Sequence, residues 1–324
     1  MAEGTGGDAR RSPGAQKRAG PRLGLALGGG AARCLAHIGV LQVLQENQVP
    51  VHLIAGTSGG ALVGALYAAG LDLKWIEELA VRINWRHLVR LNLRRDGLLD
   101  TEGLERFVAT LIKDQTFDQL RVPLTCVAVD LTSGEEVILG DGRVAPAVRA
   151  SASMPAIFLP VRYHDRVLVD GGVRNNVPAN VARSMGADVV VAVDVSSRDK
   201  RLGEPPKNLV QVFMASYDIM QEAQTTRVLQ DADVIVKPDS TQMSGFDLDH
   251  VREYVEVGRA AALEALPQIQ ARLAEAGRVL ERLGGVGASS QVDLARRREA
   301  VPDGGSGREG SDTGPNGDPT AGNH

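Results

Sequence analysis

Three times in this chain a short apolar run breaks directly onto glycines: RLGLALGGG at 22–30, VHLIAGTSGG at 51–60 and RVLVDGG at 166–172. A strand ending this way must turn sharply, because glycine tolerates backbone angles closed to other residues. The first two runs lead straight into helical spacing, with Ile38, Val40, Leu41 and Leu44 after the first and GALVGALYAAG, stopped by Gly70, after the second. Strand–turn–helix units in series predict an α/β fold with a mainly parallel central sheet covered on both faces.

The rest of the chain fits that frame. Asp72 stands where it would cap LKWIEELAVRI, and Thr101 with Glu102 and Glu105 opens EGLERFVATLI. PLTCVAVDL reads as a strand, TSGEE as a turn and VILG as its hairpin partner. VAPAVRASASM reads as a helix, and VPANVARSMG as another with Pro178 in its first turn. ADVVVAVDVS is the most continuous strand and is expected at the centre of the sheet. NLVQVFMASYDIMQEAQTTRVLQ reads as a long helix before the strand ADVIVKP. The last helix, from about Leu248 to Leu283, is expected to kink at Pro267.

The ends differ from this body. Residues 1–21 and 285–324 are rich in Gly, Arg and polar residues and poor in apolar ones, so both are expected to be disordered, leaving one domain over 22–284. Hydrophobic residues make up 43% but aromatics only 3%, so the core must be aliphatic. A net charge of −4 gives no general attraction to nucleic acid. Cys34 and Cys126 fit no metal or redox spacing, and no His, Cys or carboxylate cluster has ligand spacing, so neither metal nor cofactor is expected. The first twenty residues lack an apolar signal core, which gives a cytoplasmic reading. Residues 51–71 carry no Asp, Glu, Lys or Arg and imitate a membrane span, but their glycines, His52, Thr57 and Ser58 read better as strand, turn and buried helix. NWRHLVRLNLRRDG, at 84–97, interleaves arginines with leucines; it reads either as a solvated face or as a peripheral contact with an anionic membrane.

Three segments carry chemistry. Gly56-Thr57-Ser58-Gly59-Gly60 has the G-x-S-x-G pattern between a strand and a helix, which suits an exposed nucleophile on a strained turn; the plainer reading is a helix-capping serine. LGGGAAR, at 27–33, has consecutive glycines whose N–H groups can face an anion. A dinucleotide site would want a carboxylate ending the next strand, and a P-loop would want Gly-Lys-Ser/Thr; both are absent. An oxyanion hole needs only donors beside the nucleophile, and the two loops leave successive strands. Asp170-Gly171-Gly172 ends a third strand, where the carboxylate either faces a cleft or simply forms an Asp-Gly turn.

In order and spacing these motifs resemble the patatin-like phospholipases, especially the bacterial branch similar to the catalytic domain of neuropathy target esterase. AHIGVL (36–41), RASASMPAIFLPV (149–161), NNVP (175–178) and GADVVVAVDVS (186–196) extend the resemblance over about residues 22–200. It implies a three-layer α/β/α fold and a serine esterase acting through a dyad without histidine. In that reading Ser58 is the nucleophile, Asp170 its proton acceptor, and Gly28, Gly29, Gly30 and Ala31 the oxyanion loop. Arg33, Gly56, Gly59, Gly60, Gly171 and Gly172 support the motifs. Arg33 either steadies the loop or meets a lipid phosphate, against the plainer reading of a surface ion pair. The implied substrates are phospholipid, lysophospholipid or another acyl ester, cleaved through an acyl-enzyme. Ala31 and Cys34 depart from the family, which commonly has glycine there, and a Cβ at a position needing positive φ would cost about 1 kcal/mol. That departure motivates a second reading, a catalytically weak lipid-binding or scaffolding protein of the same fold; a nucleotide-binding module using the glycine loop is a third. A Ser–His–Asp triad through His164 is the competing catalytic arrangement, although a triad order would put the histidine after the acid.

Overall fold

Leu23, Leu25 and Leu27 alternate with Gly24 and Ala26 along β1 (Leu23–Leu27), and this alternation decides what can lie on each face. The three leucines are fully buried in one core with Ile38, Leu41 and Leu44 of α1 (Ala36–Glu46), Ala61 and Ala65 of α2 (Gly59–Ala68), and Tyr254 and Val255 of α8 (Val251–Glu299). Each such leucine contributes about 1.5–3 kcal/mol of burial. On the opposite face Ala26 joins Leu53, Ala55, Val190 and Ala192 against Val181 and Ala182 of α6 (Ala179–Ser184). Two cores on two faces of one sheet make a three-layer α/β/α architecture.

The computed structural model describes residues 20–83, 90–91, 99–196, 205, 207–239 and 249–299. The chain divides into two units, 1–280 and 281–324; the described part of the second, 281–299, is helical throughout. The final helix begins at Val251 and ends at Glu299 instead of Leu283, with Pro267 inside it. Residues 1–19 and 300–324, most of the expected tails, lie outside the described residues.

The main sheet runs β10 (Val234–Val236), β9 (Val189–Val193), β1, β2 (Leu53–Thr57), β5 (Leu124–Asp130), β8 (Arg166–Asp170), β7 (Val161–Tyr163), with β6 (Glu136–Leu139) also on β5. The pairs from β10 through β5 are parallel; those of β5 with β6 and β8, and of β7 with β8, are antiparallel. The short β3 (Arg90–Leu91) and β4 (Leu99–Asp100) pair separately. β9, expected at the centre, lies one strand from the edge; its wholly apolar sequence reflects burial on both faces, not centrality. Residues 51–71 are β2, a turn and the buried helix α2, and among the described residues no helix is long and apolar enough to cross a membrane.

The register around β5 matters most for the site. Cys126 and Val127 each pair with both β2 and β6, so those two strands lie on opposite edges of β5. Ala128 and Val129 pair with both β6 and β8, so β8 must share the β2 edge. β2 therefore approaches from one end and β8 from the other. Thr57 stops opposite Val127 and Asp170 stops opposite Ala128, so the two strands meet end to end. Neither can continue, and both chains turn away at that point.

Candidate active site

Ser58 is the first residue past the end of β2, and its backbone takes φ 55° and ψ −123°, a sparsely populated conformation costing on the order of 1–3 kcal/mol. The neighbouring chain leaves little choice. A Cβ on Gly60 would lie 2.1 Å from the Leu27 carbonyl oxygen, so α2 starts pressed against the end of β1. Ser58 occupies the helix N-cap position, yet its side chain makes no capping hydrogen bond. The hydroxyl is left for other work. The Ser58 N–H donates to Ser151 Oγ at 2.9 Å, and Ser151 Oγ donates to the Val127 carbonyl at 2.6 Å, tying the elbow to the core. Ser151 ends α5 (Val144–Ser151), within the stretch RASASM.

Asp170 arrives from the opposite direction and is 2% exposed. Its Oδ1 accepts the Gly172 N–H at 2.7 Å, which is the Asp-Gly turn bond. Among the described residues no hydrogen bond of ordinary geometry reaches Oδ2. A Cβ on Gly171 would lie 2.3 Å from the Val127 carbonyl oxygen, so only glycine lets the chain turn this close to β5. Burial raises the Asp170 carboxyl from 3.8 to about 6, against smaller opposing effects of the Ser58 hydroxyl and the Gly172 N–H. Ser58 is thus close enough to favour the charged form.

The glycine-rich loop divides its donors. Gly28 N–H bonds to the Val193 carbonyl and Gly29 N–H to the Asn176 carbonyl, both at 3.0 Å, so these two, expected among the oxyanion donors, are committed to holding the loop. The N–H groups of Gly30 and Ala31 have no acceptor among the described residues and open a 3-10 turn, Ala31–Leu35, with the donor geometry of a helix N-terminus. Ala31 does stand at positive φ, 49°; Cys34 does not, and its buried thiol, pushed up to about 12, packs against Gly59.

Two asparagines from NNVP join the segments. Asn175 accepts the Thr57 hydroxyl through its carbonyl at 2.8 Å, and Asn176 Nδ2 donates to the Gly29 carbonyl at 3.2 Å. His37 Nε2 donates to the Gly28 carbonyl at 2.7 Å, and burial lowers its pKa to about 4, so it is a neutral strut. His164 stands in the β7–β8 hairpin, at the far end of β8 from Asp170, and His52 Nδ1 accepts the Leu23 N–H at the start of β1. Among the described residues no imidazole lines the site cavity.

Gly29, Gly30, Ala31, Arg33, Ser58 and Asp170 line one cavity of about 190 Å³, closed by Met154, Asn176 and the α7 (Leu209–Val228) residues Tyr217, Asp218 and Gln221. Arg33 donates through Nε to the Val195 carbonyl at 3.1 Å and makes no ion pair among the described residues. Gln221 Nε2 donates to the Gly172 carbonyl at 3.1 Å and more weakly to Asn176 Oδ1 at 3.3 Å. Gly56, Gly59 and Gly60 border the elbow, and Gly171 and Gly172 the Asp170 turn. Sequence reasoning missed Ser151, Tyr217 and Gln221. The last two lie on an i, i+4 row with Phe213 and Thr225, a signal visible in a long helix but not specific to a site. Among the described residues no cluster of His, Cys, Asp or Glu is placed to hold a metal.

A family model described as patatin-like phospholipase matches residues 25–183. Patatin-like phospholipase domain-containing protein 7 of Rattus norvegicus is 36% identical over 193 residues, covering 56% of this chain and 14% of that protein. An uncharacterized NTE family protein of Mycobacterium tuberculosis is 36% identical over 182 residues, covering 55% of this chain and 50% of that protein. The chain therefore spans half or less of the length of these relatives. Among solved structures, VipD from Legionella pneumophila aligns at 16% identity with a TM-score of 0.47, over 77% of this chain and 67% of that one. With its three motifs in order and this match across them, the chain carries a patatin-like phospholipase domain.

Proposed function

We propose that the protein is a serine lipid acyl hydrolase in which Ser58 attacks an ester carbonyl and Asp170 serves as its base. The observation that carries this reading is the buried Asp170 carboxylate, with Oδ2 unpartnered, in one cavity with a serine whose hydroxyl does not cap its helix. The family and the relatives support lipid hydrolysis as the general activity.

An ordinary carboxylate, with a pKa near 3.8, is too weak a base for a serine hydroxyl. Burial to about 6 strengthens it while leaving it ionised at pH 7. Ser58 Oγ bonds to the carbonyl carbon as its proton passes to Asp170 Oδ2. The N–H groups of Gly30 and Ala31 hold the oxyanion, where each donor is worth on the order of 10²–10³ in rate. Asp170 then gives the proton to the departing alcohol oxygen, the ester bond breaks, and water later releases the fatty acid. Arg33, held by Val195, meets the phosphate of a phospholipid or lysophospholipid.

The cavity admits the scissile ester and its neighbours but not a whole diacyl lipid, so most of the substrate stays in its aggregate. Peripheral membrane contact follows. Leu209, Val212, Ile219 and Met220 form an exposed stripe on α7 with Ser216 between them, Ala223 beyond them and Arg227 at its end. This is the outer face of the helix whose inner face walls the cavity, so we place the lipid surface there. Apart from the backbone of β3, the arginine-rich segment 84–97 lies outside the described residues.

The test is turnover of a soluble short-chain ester, lysophosphatidylcholine and phosphatidylcholine vesicles by wild type and Ser58→Ala. The expected loss in the variant is on the order of 10³-fold or more. Wild type that binds vesicles and turns over none of the three would favour the second reading, a lipid-binding protein of the same fold, motivated by Ala31 at positive φ. For the stripe, Ile219→Asp with Met220→Asp should weaken vesicle binding and vesicle turnover and spare the soluble ester; unchanged vesicle binding would refute it.

A further inference from the structure

Tyr217 is the largest polar side chain at the cavity that the reaction above leaves without a role. It is 4% exposed, and among the described residues no hydrogen bond of ordinary geometry reaches its hydroxyl, although the Gln221 amide lies close enough to lower its pKa slightly. The ring is held in place by Phe213, whose ring stacks on it with centroids 5.9 Å apart and planes 18° apart. The hydroxyl lies against the Asp170 turn: a Cβ on Gly172 would stand 2.9 Å from it, and Gly172 is the residue whose N–H holds Asp170 Oδ1. Two buried polar atoms, Asp170 Oδ2 and Tyr217 Oη, are therefore unsatisfied at one cavity. Leaving both so is costly, and a protein tolerates it where a ligand or a water supplies the missing bonds.

A buried water needs two to four polar partners, and these atoms offer two. We infer that Tyr217 is the residue that positions the hydrolytic water for Asp170 during release of the fatty acid. This rests on the proposed acyl-enzyme chemistry. Once Ser58 Oγ is acylated it has no proton to offer, so Asp170 Oδ2 takes one hydrogen of the water. Tyr217 Oη accepts the other, which aims a water lone pair at the acyl carbon. The water oxygen bonds to that carbon while its proton moves to Oδ2. The carbon–Oγ bond then breaks, and Asp170 returns the proton to Ser58. Tyr217 stays un-ionised throughout, since burial first and the Asp170 charge next push its hydroxyl well above the ordinary tyrosine range.

The role makes a division that packing alone would not. A fluorophosphonate modifies Ser58 without needing water, whereas an activated p-nitrophenyl ester turns over only as fast as the acyl-enzyme is hydrolysed. Tyr217→Phe keeps the ring and removes the oxygen. In the full-length protein its fluorophosphonate labelling rate should stay within about twofold of wild type, while ester turnover falls about tenfold, the worth of one positioned hydrogen bond. Intact-mass measurement on quenched samples should then find acylated Ser58 accumulating in the variant. Equal slowing of labelling and turnover would mean a structural role and overturn the inference, as would turnover that does not change. Failure of the wild type itself to label would instead strike at the serine–aspartate chemistry, and the inference would fall with it.

Discussion

Replacing Asp170 by Asn should stabilise the folded protein at neutral pH while abolishing its activity. The carboxyl is buried, its Oδ2 is unpartnered, and its pKa rises from 3.8 to about 6, chiefly through burial. A group that binds its proton more tightly when folded destabilises the fold wherever it is ionised. That cost is full above pH about 6, shrinks as pH falls toward 3.8, and is absent below it. The rise corresponds to about 3 kcal/mol at pH 7. Asn keeps the Oδ1 acceptor for Gly172 N–H and removes the charge, but brings an amide donor that must find an acceptor; this offsets about 1–2 kcal/mol. The net gain should be about 1–2 kcal/mol, a few degrees in Tm for a domain of this size. Thermal unfolding of both proteins at pH 7 and pH 4 reads it directly. The variant should melt higher at pH 7, with the advantage shrinking or reversing at pH 4. An Asn variant less stable at pH 7 than at pH 4, relative to wild type, would refute the burial argument.

Other consequences follow from the same geometry. Activity should rise with pH through about 6 and level off near 7, because Asp170 must be ionised to act as base; a pH profile of kcat/KM on a soluble ester whose acid limb lies near 4 would contradict this. Ala31→Val places a β-branched residue at φ 49° and should cost more than 1 kcal/mol and slow acylation, whereas Ala31→Gly should leave stability within about 1 kcal/mol of wild type; denaturant midpoints and labelling rates check both. Ser151→Ala leaves the Ser58 N–H without its acceptor and should destabilise by about 1–3 kcal/mol, read as a lower urea midpoint at unchanged m. Gly171→Ala forces a Cβ onto the Val127 carbonyl and should slow Ser58 labelling far more than Gly20→Ala, at an exposed position with open space around it.

The parts of the site made by local turn chemistry were legible in the sequence. Glycines after the strands ending at Leu27 and Thr57 mark sharp turns whatever lies around them, and the helices after them follow from apolar spacing. The direction of β8 was not legible. The run RVLVD has the same pattern whether parallel or antiparallel, so nothing in it says that β8 comes toward β2 along a shared edge of β5. Yet that meeting is what brings Asp170 beside Ser58. Consecutive glycines suggest exposed N–H groups, but those of Gly28 and Gly29 are taken by acceptors, Val193 and Asn176, that lie far along the chain. Ser151 and Tyr217 escaped for a related reason, since each looks like an ordinary helical residue until the fold sets it against the turn it serves. β9 was expected at the centre because a continuous apolar run reports burial on two faces, which a strand near the edge also has under helices.

The serine–aspartate reading stands or falls on the reactivity of one hydroxyl. Wild type, Ser58→Ala and Asp170→Asn would each be treated with a fluorophosphonate at pH 7, and the modified peptide located by mass spectrometry. The geometry predicts a single adduct on Ser58 in wild type, none at that position in Ser58→Ala, and labelling slowed by orders of magnitude in Asp170→Asn although that protein is folded. A folded wild type that stays unlabelled, or an Asp170→Asn variant that labels as fast as wild type, would contradict it.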